Sequence, residues 1–154
     1  MSKMGLKRLL LDLLGLRPER LQVAALCLRV HEARREVLLI TSKRRGRWIL
    51  PKGWPMAGSD LPGSVQQEAW EEAGARGRVR PEPLGRYHYA SVLVEDFAQP
   101  VEVVVFQMDE IELADDYPEV GQRERRWWPL QEAAAEVEEP ELAQILRSLD
   151  KPAH

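Results

Sequence analysis

The 154-residue sequence predicts one mixed α/β or α+β domain. Three observations predict it. Strand-length apolar runs lie on both sides of a single internal helix. That helix is bounded by cap and turn residues. Two further helical segments, separated by Pro140, finish the chain. A chain of this size hides roughly 68–70% of its unfolded surface. With 44% hydrophobic and 31% charged residues, the composition is that of a soluble globular protein.

The elements follow in order. Lys3, Lys7 and Arg8 precede the run Leu9 to Leu14, which Asp12 interrupts. The run is too short to span a bilayer, and no small-residue cleavage site follows. Residues 1–20 are therefore expected as an amphipathic helical extension. Packing on the domain is favoured over a partner or membrane contact. Leu21–Val30 and Glu36–Thr41 are strand runs joined by the charged turn His31–Arg35, which reads as a hairpin. Ser42–Arg47 is a basic loop, and Trp48–Ile49–Leu50 is a short strand stopped by Pro51. Lys52–Leu61 is loop. A helix then starts with Ser59 or Asp60 as cap and Pro62 in its first turn, and Gly74 ends it. Strands are expected at Arg76–Arg80, Tyr87–Val94, Val101–Met108 and Arg123–Trp128, and helices at Gln131–Val137 and Glu141–Leu149.

Charge narrows the partners. With 22 basic and 25 acidic residues the net charge is −3, so no general affinity for nucleic acid or anionic membrane is expected. Phosphate recognition has to come from a local basic cluster. Cys27 is the single cysteine and sits in an apolar run, where a buried, inert thiol is the favoured reading. The cytoplasm is the default compartment, and assembly into an oligomer is left open.

On the internal helix, Glu68, Glu71 and Glu72 are spaced i, i+3, i+4 and share one face. Spacing alone leaves two readings, a solvated face or a seat for a hard cation that takes carboxylate oxygens. The flanks change the balance. From Gly53 to Ala75 the chain reads GWPMAGSDLPGSVQQEAWEEAGA. This resembles the Nudix box, G-x5-E-x7-R-E-U-x-E-E-x-G-U, where U is a bulky aliphatic. Gly53, Glu68, Glu71, Glu72 and Gly74 fall in register, with Ala69 and Ala75 at the U positions. The lead-in Arg47–Gly53 and the later Arg125–Trp127 with Glu132–Ala133 are also similar to family segments. The resemblance implies an α/β/α sandwich with a central mixed sheet over residues 21–150.

It also implies roles. Glu68, Glu72 and the Gly53 carbonyl would ligate Mg²⁺, with Mn²⁺ as the alternative ion. Glu71 would orient or deprotonate the attacking water, with Glu68 as its catalytic companion. Lys43, Arg44, Arg45 and Arg47 in the loop before the box, and Lys52 beside Gly53, are the candidate phosphate contacts, weighed against a plainly solvated turn. The box-preceding segment is nearest in appearance to the diphosphoinositol polyphosphate and diadenosine polyphosphate hydrolases. The expected function is Mg²⁺-dependent cleavage of a phosphoanhydride bond in such a small phosphorylated molecule, or in a nucleoside-diphosphate derivative. Two departures stand against this, because Ser59 replaces the first box glutamate and Gln67 its arginine. They motivate the competing expectation of a weak or inactive module that binds phosphate ligands. Among other candidates, Trp54 is read as a ring-stacking or loop-closing residue and Trp70 as inward-facing. His88 is read as structural, and Glu119 and Glu124 as extra carboxylates with no preference between them.

Overall fold

The computed structural model describes residues 20–94 and 97–150. The expectation for an N-terminal helical extension therefore falls outside the described residues. The strands are β1 (Arg20–His31), β2 (Arg34–Thr41), β3 (Trp48–Ile49), β4 (Lys52–Gly53), β5 (Ala75–Val79), β6 (Gly85–Val94), β7 (Phe97–Leu113) and β8 (Arg125–Pro129). The helices are α1 (Leu61–Ala73), α2 (Leu130–Glu136) and α3 (Pro140–Leu149). The central path runs β3-β2-β1-β7-β5, with β4 added on β1, β6 on β7 and β8 on β2. The β1–β7 pair is parallel and the other pairings are antiparallel, so the sheet is mixed.

Strand alternation sorts the core onto two faces. Val23, Ala25, Cys27, Leu38, Ile40, Val104 and Phe106 join Val65, Ala69 and Ala73 of α1. Ala24, Leu26, Val37, Leu39, Val103 and Val105 join Leu130, Ala133, Leu142 and Leu146 of α2 and α3. The result is an α/β/α sandwich. On α1 the inward stripe is Val65, Ala69 and Ala73, which recur every fourth residue and are fully buried. These small side chains leave the helix close to the sheet, which is how an alanine fits at a box position that otherwise holds a bulky residue.

The start of α1 follows from its sequence. Asp60 caps it, accepting the Gly63 N–H at 2.7 Å, and Pro62 occupies the first turn. Gly74 ends the helix in the left-handed region at φ 63. A Cβ there would overlap the Tyr117 ring, so both conformation and space require glycine. The hairpin between β1 and β2 turns on Glu32 and Ala33, both at positive φ, as a two-residue turn between twisted strands requires.

Three elements differ from expectation. Lys52–Gly53, read as loop, is a two-residue strand paired with Val23 and Ala24 of β1. It is too short to carry an apolar pattern. The strand expected at Val101–Met108 extends to Phe97–Leu113, because its ends pair with β6 and β5 through residues with no apolar alternation. Trp70 is only half-buried. It lines an open groove between α1 and β5 with the Arg76 guanidinium 4.1 Å over its ring. Cys27 is fully buried, and burial pushes its thiol up to about 12. Among the described residues no helix is long and apolar enough to cross a membrane.

Candidate active site

The glutamates of α1 meet the sheet at β4. Glu72 Oε1 accepts the Lys52 backbone N–H at 2.9 Å. The Glu68 carboxylate lies directly against Gly53, where an added Cβ would overlap it. Glycine lets the Glu68 carboxylate lie this close, and a larger residue there would displace it. Glu68, Glu72 and Gly53 are brought together along this backbone. Glu71 lies on the same helix face and accepts from the Gln67 side-chain amide.

Burial pushes the Glu68 carboxyl up to about 7. The charges of Glu72, Glu71 and Glu119 add to the effect, and Arg123 opposes it. Glu72 is also raised, by burial first, against the pull of the Lys52 N–H and Arg123. The group is thus short of positive charge. The acidic side chains among the described residues do not close on one another as a ready three-ligand cage. They are carboxylates in a desolvated recess, the donor type that hard cations take.

Two residues of the site come from the connection between β7 and β8. Arg123 donates to Glu72 at 3.1 Å, to Glu119 at 3.3 Å and to the Thr41 carbonyl at 3.1 Å. Glu119 also pairs with Lys43 at 3.0 Å, and its N–H bonds the Glu71 carbonyl. No local sequence pattern marks Arg123, because 51 residues separate it from Glu72. Of the two extra carboxylates considered, Glu119 joins the site. Glu124 is exposed and bonds Thr41 through its backbone.

The basic candidates divide. Lys43 faces Glu119. Arg45 pairs with Glu138 at 2.7 Å, and Arg47 pairs with Glu139 in the turn between α2 and α3. Arg44 is exposed. Lys52 Nζ is held by neutral acceptors, Tyr89 Oη at 3.0 Å and Gln22 Oε1 at 3.3 Å. Ser59 and Gln67 do not replace the box's ion pair with a bond to each other. Ser59 Oγ donates to the Asp60 carbonyl, and Gln67 turns to Glu71. The loop is braced instead by the Asp60 cap and by Ser64 Oγ, which accepts the Met56 N–H at 2.9 Å. His88 sits on the surface with Glu141 at 3.1 Å, which suits a structural role.

The NUDIX domain family model matches residues 20–149. The chain belongs to the Nudix family. Nudix hydrolase 12, mitochondrial, of Arabidopsis thaliana is 32% identical over 101 residues, covering 64% of this chain and 50% of that protein. Diphosphoinositol polyphosphate phosphohydrolase 3-alpha of Mus musculus is 32% identical over 116 residues, covering 73% of this chain and 65% of that protein. The chain thus spans about half to two thirds of the length of these curated relatives. Among solved structures, C. elegans Ap4A hydrolase superposes with a TM-score of 0.59 at 16% identity, covering 86% of this chain and 96% of that one. At that identity the likeness is one of fold. The matched span includes Gly53 and the glutamates of α1.

Proposed function

We propose that this Nudix chain is a Mg²⁺-dependent hydrolase of a phosphoanhydride bond, acting on a dinucleoside polyphosphate, a diphosphoinositol polyphosphate or a related nucleoside-diphosphate derivative. The observation that carries the reading is the meeting of Glu68 and Glu72 at the Lys52–Gly53 backbone, with too little positive charge to balance them. The donor set fits a hard divalent ion. Glu68, Glu72 and the Gly53 carbonyl would hold it, with water completing the shell. Such an ion supplies charge neutralisation and a more acidic bound water.

The chain's own groups do the rest. Glu71 orients the attacking water with the carboxylate oxygen that Gln67 does not occupy, and takes its proton. Arg123 and the Lys52 N–H fix Glu72 in place. Lys52, and Lys43 if it leaves Glu119, meet the phosphate oxygens, so positioning and charge stabilisation supply most of the catalysis. One relative supports the polyphosphorylated substrate class, a diphosphoinositol polyphosphate phosphohydrolase. The second reading, a binding module with little turnover, is favoured by one observation: Gln67, in place of the box arginine, ties up one oxygen of Glu71. A phosphate-release assay over dinucleoside polyphosphates, diphosphoinositol polyphosphates and nucleotide sugars, with Mg²⁺, Mn²⁺ or chelator, separates the two. Ion-dependent release supports the hydrolase; binding without release across the panel supports the module.

A further inference from the structure

The chain between β4 and the start of α1 meets the helix in a regular series of contacts. Lys52 gives its N–H to Glu72, and Gly53 lies against the Glu68 carboxylate. Met56 gives its N–H to Ser64 Oγ at 2.9 Å. Ser59 Oγ lies where a Cβ on Gly63 would overlap it, so that glycine admits the loop. The incoming chain thus runs antiparallel to α1, from its third turn back to its first. Ser64, Glu68 and Glu72 recur at i, i+4 and i+8. They form one stripe with a rise of about 6 Å between neighbours, beside the apolar stripe of Val65, Ala69 and Ala73.

Ser64 is the member of this stripe that a bound cation does not account for. It is fully buried, and a buried hydroxyl costs free energy unless it is hydrogen-bonded. Its bond goes to the loop. Among the described residues no other hydrogen bond joins Trp54–Ser59 to α1. Pro55 brings no N–H. The Ser59 N–H is used within the loop, on the Met56 carbonyl at 3.3 Å. The loop therefore hangs on the Met56–Ser64 bond, three residues after Gly53 and one helical turn before Glu68. The positions where the box carries its ion pair make no such tie. Ser59 Oγ turns to the Asp60 carbonyl, and the Gln67 amide turns to Glu71. A link between loop and helix is missing at 59 and 67 and present at 56 and 64.

We infer that Ser64 is a positioning residue for the cation seat: its hydrogen bond to Met56 replaces the box ion pair in holding the loop on α1, and so keeps Gly53 against the Glu68 carboxylate. Ser64 touches neither ion nor substrate. It acts through the short link from Met56 back to Gly53. Without the hydroxyl the Met56 N–H loses its partner. The loop then has no tie to the helix between Gly53 and the Asp60 cap, and the Gly53 carbonyl and Glu68 are no longer held at a fixed separation. Groups that orient metal ligands in this way set affinity as well as geometry. The inference deepens the hydrolase reading and rests on it only for the ion.

Two measurements on the full chain test this without turnover. Calorimetric titration with Mg²⁺, well below the melting temperature, should show about tenfold weaker binding in Ser64→Ala. Amide hydrogen exchange in chelator should show faster exchange at Lys52, Gly53 and Met56 in the same variant. Leu142→Ala, in the core under α3, is the control for a merely structural effect. It should lower the melting temperature and change neither reading. Adding Ser59→Glu with Gln67→Arg to Ser64→Ala restores the box pair and should recover the Mg²⁺ affinity. The inference is overturned if Ser64→Ala binds Mg²⁺ as tightly as the parent, if exchange at Lys52 and Met56 is unchanged, or if the restored pair recovers nothing. A parent chain that binds no Mg²⁺, with exchange still faster in Ser64→Ala, would instead overturn the ion of the hydrolase reading and leave the loop tie standing.

Discussion

Two acidic groups in this molecule look alike in sequence and differ in how they are neutralised. Glu138 and Glu139, in the turn between α2 and α3, meet Arg45 and Arg47, two carboxylates against two guanidinium groups. Glu68, Glu71 and Glu72 gather with Glu119, four carboxylates against Arg123 and Lys43. Glu68 has no ion pair among the described residues. The first group is balanced and ties the basic loop to the helical layer. The second is half-buried, unbalanced and set against the backbone of Gly53. An acidic run is a clamp when its counter-charges are built in, and a candidate cation seat when they are not.

The comparison breaks most sharply if the two groups respond alike to losing a charge. Glu72→Gln should lower kcat about 10³-fold, roughly 4 kcal/mol of transition-state stabilisation, while thermal unfolding barely moves because Arg123 keeps Glu119 and the Thr41 carbonyl. Steady-state phosphate release and a melting curve on one preparation read both. Retained turnover would remove Glu72 from the site. Glu139→Gln should act in the opposite sense. Glu139 is 7% exposed, and its loss leaves Arg47 half-compensated by Glu138 at 3.7 Å. Denaturant unfolding should then show about 3 kcal/mol less stability, with kcat unchanged.

Much of this contrast could be read before the structure, though unevenly. The box spacing marked Glu68, Glu72 and Gly53 because helix periodicity and a glycine offset are local properties. The cap at Asp60 and the stop at Gly74 were legible for the same reason. Arg123 was not, since the long β7–β8 connection brings it to α1 without leaving a periodic trace. Nor could the division of the basic loop be foreseen. Arg45 and Arg47 look like Lys43 in sequence, and only the packing of α2 and α3 places Glu138 and Glu139 over them. Gln22 reads as one polar residue in an apolar strand, and its hydrogen bonds appear only when β4 and β6 bring Lys52 and Tyr89 to its oxygen.

Geometry at Gly53 sharpens the difference further. Adding a methyl group with Gly53→Ala would push it into the Glu68 carboxylate, so Glu68 must move. A displacement near 1 Å at reacting groups costs about 100-fold in rate. We expect a drop of that order in kcat/KM, with a smaller change in stability. An active Gly53→Ala variant with unchanged metal dependence would mean that Glu68 does not need its present position.

The smallest effect is the most direct reading of charge imbalance. Burial, with neighbouring carboxylates, holds the Glu68 carboxyl at about 7, above its ordinary value of 4.5. A raised carboxyl keeps its proton longer in the folded state than in the unfolded one, so between these values the native state binds more protons. Stability of the metal-free protein should therefore fall as pH rises from about 4.5 through about 7. Above that range Mg²⁺ should restore it, because an ion that binds the ionised group favours the folded state. Melting curves at pH 5 and pH 8, with chelator and with Mg²⁺, should show a larger Mg²⁺-induced rise at pH 8. Glu68→Gln should weaken this pH dependence, leaving the smaller part due to Glu72, and raise the metal-free melting temperature at pH 8. The balanced pair at Glu139 predicts the opposite sign, since removing a charge there lowers stability. If Glu68→Gln also destabilised the metal-free protein, Glu68 would have to be satisfied by the fold itself, and the site's charge deficit would not exist.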